Sequence, residues 1–337
     1  MALLADIARK SGVSKTTVSL ILNGKAEQYR ISPQTAQRVR KVARDAGFAP
    51  NALARGLRTN RSGTIGLIVS DITTTFFSRL AHQIELAAQQ AGYHVIIANS
   101  NDEPDTEAWA VETLLAKSVD GLIISTVGTE NTVSRRQKRM QIPVVYIDRV
   151  LAGPSVHCVT SDNRAGMFEL TRTLLAAGFS DIAYIGGLPH LSTHRERLDG
   201  FARAHAEAGV ALREGRLIEG GFSREYGYEL CAELWRRADR PPQALITAAM
   251  PLFEGTLAYL RESHGGVPHD LQLATFDDHP LLDHLAFAVP SVRQDWEAMG
   301  AAAFDALQQL AAQRRLNRIS MIKPVFVNRL HSRRRTP

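Results

Sequence analysis

The chain has 337 residues, of which 45% are hydrophobic and 22% are charged. At roughly 100 to 200 residues per domain this length predicts two to three domains, each with enough apolar residues for a core, and intrinsic disorder is excluded as the main state. The two cysteines, Cys158 and Cys231, lie too far apart for a CxxC metal or redox site. No apolar run reaches about 18 residues and the N-terminus mixes apolar with charged residues, so we expect a cytoplasmic protein, neither exported nor membrane-spanning.

Positive charge is concentrated at the N-terminus. Residues 1–61 contain twelve Lys and Arg against three Asp and Glu, a formal charge of +9, whereas residues 62–337 carry −3. A basic head on a mildly acidic body is typical of a head that binds a polyanion. A solvated charged surface has the same composition, so charge alone does not decide between the two.

The first predicted elements are two short helices over residues 4–22. Gly12 ends the first helix, because glycine adopts the left-handed conformation of a helix end at little cost, and Ser14 is a natural N-cap for the second. A third helix is predicted to begin at Ser32-Pro33 and to end at Gly47. The pattern predicts a compact three-helix unit.

The second helix has two different faces. Val18, Ile21 and Leu22 form an apolar stripe, and at about 100° per residue Thr16 and Leu20 lie opposite it. A helix–glycine turn–helix with a small, polar outer face favours a helix-turn-helix, whose second helix fits the major groove of B-DNA. An ordinary helical hairpin is the alternative, and the local charge favours DNA.

Residues 51–58 follow this unit, and Asn51 could cap a helix there. Two turns are too few to be stable alone, since isolated helices below about 12 to 15 residues are marginal in water. The segment is therefore predicted to fold only against a partner. Composition alone favours a plain interdomain linker.

The rest of the chain alternates short apolar runs with amphipathic stretches. Strands spaced by about 25 to 30 residues with helices between them predict α/β lobes, two doubly wound parallel sheets with a ligand crevice at the carboxyl ends of their strands. The predicted strands are Ile65–Val69, Val95–Ala98, Gly121–Ile124, Val144–Ile147, Ile182–Ile185, Ala244–Thr247 and Leu273–Phe276. The predicted helices are Phe76–Ala91, Thr106–Ala116, Arg164–Ala177, Arg195–Ala208, Arg224–Arg237, Leu252–Ser263 and Asp295–Arg314.

Charged residues follow several of these strands. Asp148-Arg149 and Asp277-Asp278 come directly after strands, and Arg197 lies near the start of a helix. Carboxylates there can accept hydrogen bonds from sugar hydroxyls, and arginines can form forked hydrogen bonds with a phosphate. A helix N-cap for each Asp and a surface ion pair for each Arg are the alternatives, and for a single residue they are equally good.

Motifs of common enzymes do not occur in the sequence. It contains no GxGxxG after a strand, no GxxxxGK[ST], no GxSxG and no HExxH. We expect a regulator that is not an enzyme and that has no cofactor or metal. A transport solute-binding protein and an enzyme acting on a phosphorylated sugar are the rival hypotheses.

Residues 4–24, 50–57 and 65–69 resemble the opening of the LacI/GalR family of bacterial transcriptional regulators. The resemblance implies a helix-turn-helix domain over residues 1–49, a hinge helix and linker over 50–61, and a two-lobed, periplasmic-binding-protein-like body over 62–337. The first lobe is expected over about 62–160 plus 291–322, and the second over about 161–290 plus 323–337.

For DNA binding, the resemblance implies that Lys15, Thr16 and Leu20 face base edges and that Leu57 wedges into a minor-groove base step. It also implies a homodimer on a pseudo-palindromic operator, with the state above a dimer (a tetramer) left open. The full set of expected DNA-binding residues is Ser14, Lys15, Thr16, Thr17, Ser19, Leu20, Asn23, Asn51, Ala54, Arg55, Leu57 and Arg58.

For the ligand, residues 23–32, 100–105 and 281–283 resemble the fructose-responsive members of the family, which implies a sugar-phosphate effector, fructose 1-phosphate, that lowers DNA affinity. One departure is Ala249-Met250, where many relatives carry an Asn-Asp pair, and it argues against a neutral-sugar specificity. The expected effector-binding residues are Phe76, Phe77, Asp148, Arg149, Thr193, Arg197, Asp277, Gln294 and Trp296.

Overall fold

A computed structural model of the chain describes residues 4–22, 24–47, 61–127, 142–151, 156–314 and 317–330. The chain forms two compact units, residues 1–62 and residues 63–337. Within the described residues no helix combines the length and the apolar character needed to cross a membrane.

The described part of the N-terminal unit contains three helices: α1 (Leu4–Ser11), α2 (Lys15–Leu22) and α3 (Pro33–Asp45). The predicted caps are present, since Ser14 Oγ accepts a hydrogen bond from Thr17 N at 3.0 Å and Ser32 Oγ accepts one from Thr35 N at 3.2 Å. The three helices share one small apolar core formed by Ile7, Ala8, Val18, Ile21, Ala26, Ala36, Val39 and Ala43.

The second unit contains two six-stranded sheets. The first sheet contains β1 (Thr64–Val69), β2 (His94–Asn99), β3 (Leu122–Ile124), β4 (Val144–Ile147), β5 (Cys158–Ser161) and β11 (Ile319–Ile322). Its order is β11-β5-β4-β3-β1-β2, and every neighbouring pair is parallel, including the edge strand β11, which comes from near the end of the chain. Among the residues that the structure describes, its helices are α4 (Thr75–Gln90), α5 (Pro104–Ala116) and α10 (Trp296–Ala311).

The second sheet has the order β12-β10-β9-β8-β6-β7, and only the β10–β12 pair is antiparallel. Its strands are β6 (Ile182–Gly186), β7 (Leu217–Glu219), β8 (Ala244–Thr247), β9 (Gln272–Phe276), β10 (Ser291–Arg293) and β12 (Val325–Val327). Its helices are α6 (Asn163–Ala176), α7 (Ser192–Ala208), α8 (Arg224–Arg237) and α9 (Met250–His264), with a 3-10 turn at Pro280–His284. The predicted α/β class with two doubly wound lobes is confirmed.

The chain passes between the two sheets after β5, after β10 and after β11. The expectation that the second of these passages precedes residue 291 is wrong, because Ser291–Arg293 pairs with β9 and β12 and so belongs to the second sheet. Two of the three residues in this run, Ser291 and Arg293, are polar, so it contains no apolar pattern from which a strand can be predicted.

Candidate functional sites: a three-helix head and a crevice between two sheets

Helix α2 presents a polar face to solvent. Lys15 and Thr16 are exposed, as is the capping residue Ser14, whereas Val18 and Ile21 are buried against α1 and α3. An exposed first turn with a lysine can reach the donors and acceptors of a DNA groove. The predicted division of α2 into an inner and an outer face is therefore present.

The remaining expected DNA-binding residues divide into two groups. Thr17, Ser19 and Leu20 are half-buried on α2. The others lie outside the described residues: Asn23, Asn51, Ala54, Arg55, Leu57 and Arg58.

A cavity of about 480 Å³ lies between the two sheets, at the carboxyl ends of their strands. Both lobes contribute to it, since β1, β2 and β4 lead into it from the first sheet and β8, β9 and β10 from the second. The expected effector residues that line it are Phe76, Phe77, Asp148, Arg149, Thr193, Arg197, Asp277 and Gln294. The structure thus brings eight of the nine expected residues to one crevice.

Trp296 is the exception, and its expected role in effector binding stays a prediction. It is absent from the cavity lining and begins α10, where it packs against the apolar core of the first lobe. Arg293 lies over its ring, with the guanidinium carbon 5.7 Å from the ring centroid.

The two lobes present an aspartate at equivalent positions. Asp148 follows β4 and Asp277 follows β9, and both adopt left-handed backbone conformations, with φ of 68° and 70°. Non-glycine residues in this region are uncommon and cost about 1 to 3 kcal/mol, so such conformations persist where the surrounding structure enforces them. At Asp148 the carbonyl accepts a hydrogen bond from Thr160 Oγ1 at 2.7 Å.

Asp148 is buried, with 6% of its surface exposed, and its Oδ1 accepts no hydrogen bond from any described residue. Burial raises the pKa of this carboxyl to about 6, against the lowering effect of Arg197 and Arg149. A buried carboxylate with an unused oxygen is a strong acceptor for a ligand hydroxyl.

Arg149 is buried beside Asp148 and is already paired. Its Nη2 donates to Asp102 Oδ1 at 2.6 Å and its Nη1 donates to the Thr126 carbonyl at 3.1 Å. Its Nε lies 3.9 Å from Asp148 Oδ2 and makes no hydrogen bond within the described chain. The buried Glu107 holds Thr126 from the other side, accepting from its hydroxyl at 2.9 Å.

Arg197 is also buried, but its partners are neutral. Its Nε donates to Asn163 Oδ1 at 2.8 Å, its Nη1 donates to the Ala248 carbonyl at 2.7 Å, and its guanidinium lies 3.9 Å from the centroid of the Phe276 ring. Neither arginine forms the surface ion pair that was the alternative. Arg197 keeps its charge uncompensated by any hydrogen-bonded carboxylate among the described residues.

Ala249 and Met250 lie at the start of α9. Ala249 occupies the N-cap without a side-chain bond, and Met250 N lies 3.5 Å from Asp277 Oδ2. Asp277 Oδ1 accepts from Gln294 Nε2 at 2.7 Å, while the buried Gln294 Oε1 has no described donor. Asp277 therefore faces both the helix start and the crevice.

The sequence reasoning missed several residues of the lining, including Asp102, Phe222, Ser223 and Arg224. Phe222 stacks on the chain at Gly187, where a Cβ would lie 2.0 Å from its ring. These residues follow β2 and β7, and β7 is one of the strands that the sequence pattern did not reveal. Recognition of β7 would have placed residues 220–224 at the crevice.

Comparisons with known proteins match both units. Residues 3–51 match the family model for bacterial regulatory proteins of the lacI family, and residues 62–260 match the model for periplasmic binding proteins and the sugar binding domain of the LacI family. These boundaries correspond to the three-helix head and to most of the two-sheet body.

Individual relatives match most of the chain. The sucrose operon repressor of Klebsiella pneumoniae is 36% identical over 91% of each chain, and the fructose operon regulatory protein of Vibrio cholerae is 35% identical over 95% of this chain and 97% of its own. Among solved structures, the Cra transcriptional dual regulator of Pseudomonas putida in complex with fructose 1-phosphate is 30% identical, with a TM-score of 0.73 over 80% of this chain and 99% of its own.

Proposed function

The chain belongs to the LacI family of bacterial regulatory proteins, and from that premise we propose that a sugar phosphate, fructose 1-phosphate, binds in its crevice and releases it from a pseudo-palindromic operator. It is a DNA-binding transcriptional regulator of sugar metabolism and not an enzyme. Binding to a chromosomal operator implies that it works in the bacterial cytoplasm.

One observation carries the ligand proposal. Buried polar atoms from both lobes line the crevice without a partner among the described residues: Asp148 Oδ1 and Arg149 Nε from the first lobe and Gln294 Oε1 next to the second sheet. Such atoms cost free energy unless a partner satisfies them. A polyol offers donors to the two oxygens, and an anionic oxygen offers an acceptor to the guanidinium.

Two further facts support the phosphate. Arg197 brings a buried cation with only neutral partners, and its Nη2 donates to no described group. The Pseudomonas putida relative was solved with fructose 1-phosphate. The alternative effector is another sugar or sugar phosphate, and the relative named as a sucrose operon repressor makes sucrose the specific rival.

The charge and the exposed residues of the N-terminal unit support binding to operator DNA. Its +9 charge matches the phosphate backbone, and exposed Lys15 and Thr16 on α2 match the base edges of a major groove. We place two copies of the chain on the operator as a homodimer. Exposed apolar side chains at the edge strand β2, Ile96 and Ile97, and Trp109 on α5 support an interface there.

The DNA proposal is tested by operator titration with variants of α2. Replacing Lys15 with Ala or Leu20 with Ala should change base preference at defined operator positions, by about 1 to 3 kcal/mol for each base whose recognition the substitution removes. The matched control is Lys41→Ala, an exposed lysine on α3 outside the expected DNA-binding residues, which should leave the base preference unchanged. Unchanged preference at every position in the Leu20 variant would refute this placement of the helix.

The effector proposal is tested by calorimetry of the full chain with fructose 1-phosphate, fructose 1,6-bisphosphate, fructose and sucrose, in a buffer without phosphate. We expect fructose 1-phosphate to bind most tightly, and Arg197→Gln to abolish the preference for the phosphorylated sugar. The control is Arg213→Gln, an arginine of the same lobe that pairs with Asp181 away from the crevice. Tight binding of fructose or sucrose with no phosphate preference would contradict the proposal.

A further inference from the structure

The two arginines of the crevice, Arg149 and Arg197, differ in the charge of their hydrogen-bond acceptors. Arg197 has hydrogen bonds only to neutral acceptors, whereas Arg149 donates to a carboxylate, Asp102, at 2.6 Å and has a second carboxylate, Asp148, 3.9 Å from its Nε. A phosphate that approaches Arg197 displaces no hydrogen-bonded carboxylate of the described chain. At Arg149 it meets a cation that the protein has already neutralised.

The position of Asp102 on the guanidinium decides what a phosphate can do there. The edge formed by Nε and Nη2 is the one that carboxylates and phosphates bind in forked fashion, as Arg216 shows in this protein by holding both oxygens of Asp181 through Nε at 2.6 Å and Nη2 at 2.8 Å. On Arg149, Asp102 occupies the Nη2 half of that edge and Nε has no described acceptor. A phosphate oxygen gains the full fork only by displacing Asp102.

Resting on the proposed sugar-phosphate effector, we propose that Asp102 is a specificity-determining residue that competes with the effector phosphate for Arg149. A free phosphate ion has only its contacts with the crevice arginines to offset the displacement of Asp102. A phosphorylated sugar adds hydroxyl hydrogen bonds to Asp148 and Asp277 on the two lobes. Asp102 thereby makes phosphate recognition conditional on recognition of the sugar, which is specificity obtained by penalising the wrong ligand.

The surroundings of Asp102 allow its carboxylate to be displaced from Arg149 while the guanidinium stays in position. Asp102 has a φ of 56° in the loop after β2 and its side chain is partly exposed, so water can solvate the displaced carboxylate. Arg149 stays anchored through Nη1 on the Thr126 carbonyl, which Glu107 braces through the Thr126 hydroxyl and Val127 N. The guanidinium therefore keeps its place while one partner replaces another.

The test is Asp102→Asn, which keeps an oxygen that accepts from Nη2 and a residue type tolerant of positive φ, and removes only the charge. We expect affinity for fructose 1-phosphate to rise at least about tenfold, inorganic phosphate to become a detectable ligand, and affinity for fructose to stay unchanged. The matched control is Asp71→Asn, since Asp71 also lines the crevice but, within the described chain, its carboxylate bonds only to Thr73.

The outcomes separate the alternatives. No gain, or a loss, in Asp102→Asn would overturn the competition and show that the carboxylate orients Arg149. An equal gain in Asp71→Asn would attribute the effect to general charge and also overturn it. In an Arg149→Gln background the gain must vanish, and its persistence would contradict the proposal. Failure of the wild type to bind fructose 1-phosphate while it binds another sugar would instead refute the effector proposal itself.

Discussion

Replacing Asp148 with Asn should stabilise the unliganded body. The carboxyl is buried, its Oδ1 is unpaired within the described chain, and burial raises its pKa from 3.8 to about 6. At about 1.4 kcal/mol for each pKa unit, an ionised Asp148 at pH 7.5 destabilises the folded state by about 3 kcal/mol. Asn removes the charge and tolerates the φ of 68°.

The pH dependence has a definite sign. Because the folded state holds the Asp148 proton more tightly than the unfolded state, stability from this group falls as pH rises from about 4 to about 6. The advantage of Asp148→Asn is therefore largest above pH 6.5, shrinks as pH falls through 6 and vanishes near pH 4. At pH 7.5 the melting temperature of a body of this size should rise by about 6 °C.

Tryptophan fluorescence can report this transition, since Trp109, Trp235 and Trp296 all lie in the body and none lies in the head. The matched control is Asp277→Asn, where Asp277 Oδ1 already accepts from Gln294 Nε2 at 2.7 Å and no gain is expected. A gain in Asp148→Asn that is equal at pH 5 and pH 7.5, or no gain at all, would refute the desolvation argument.

Three further predictions concern packing and capping. Gly255→Ala places a Cβ 2.0 Å from the Arg224 carbonyl oxygen, so α8 and α9 must separate and the body should lose about 3 kcal/mol in denaturant titrations; wild-type stability would show that the helices are loosely packed. Gly187→Ala pushes the Phe222 ring from the crevice wall and should weaken fructose 1-phosphate binding about tenfold or more in calorimetry, an effect whose absence would remove Phe222 from the site. Ser32→Ala removes the α3 N-cap and should cost the head about 1 kcal/mol, seen as reduced helical circular dichroism with the body's fluorescence transition unchanged; a shift of that transition would contradict the separation of the units.

All seven strands and all seven body helices predicted from the sequence are present, because each strand contains a short apolar run and each helix an amphipathic period. The five missed strands are β5, β7, β10, β11 and β12, each of three or four residues. In β5 the buried residues include Thr160 and Ser161, whose polarity hides burial from a hydrophobic pattern. Thr160 is buried because its hydroxyl bonds to the Asp148 carbonyl, an interaction that only the fold creates.

In the crevice, too, some features can be predicted from the sequence and others depend on the fold. Asp148, Arg149 and Asp277 directly follow strands with strong patterns, so their position at a sheet edge is readable from the sequence alone. The different hydrogen-bond partners of Arg149 and Arg197 cannot be predicted from the sequence. They depend on Asp102, which is 47 residues from Arg149, and on Asn163 and Ala248, which bind Arg197. The number of charged residues can be counted in a sequence, but whether one charge is paired with another depends on the distances between side chains in the folded protein.

Under the proposed function, the free-energy cost of burying Asp148 has a regulatory consequence. A ligand shifts a conformational equilibrium only by its different affinity for the two states, and a coupling of about 1 to 3 kcal/mol is ordinary for such switches. The crevice contains a buried carboxylate and a guanidinium with unused hydrogen-bonding capacity, contributed by one lobe, and these face Asp277 and Arg197 of the other. A ligand can form hydrogen bonds to the groups of both lobes only when the two lobes are close enough for it to contact both. The free energy regained by pairing Asp148 is thus available to one arrangement of the lobes and not to the other, which is the differential affinity that release from an operator requires.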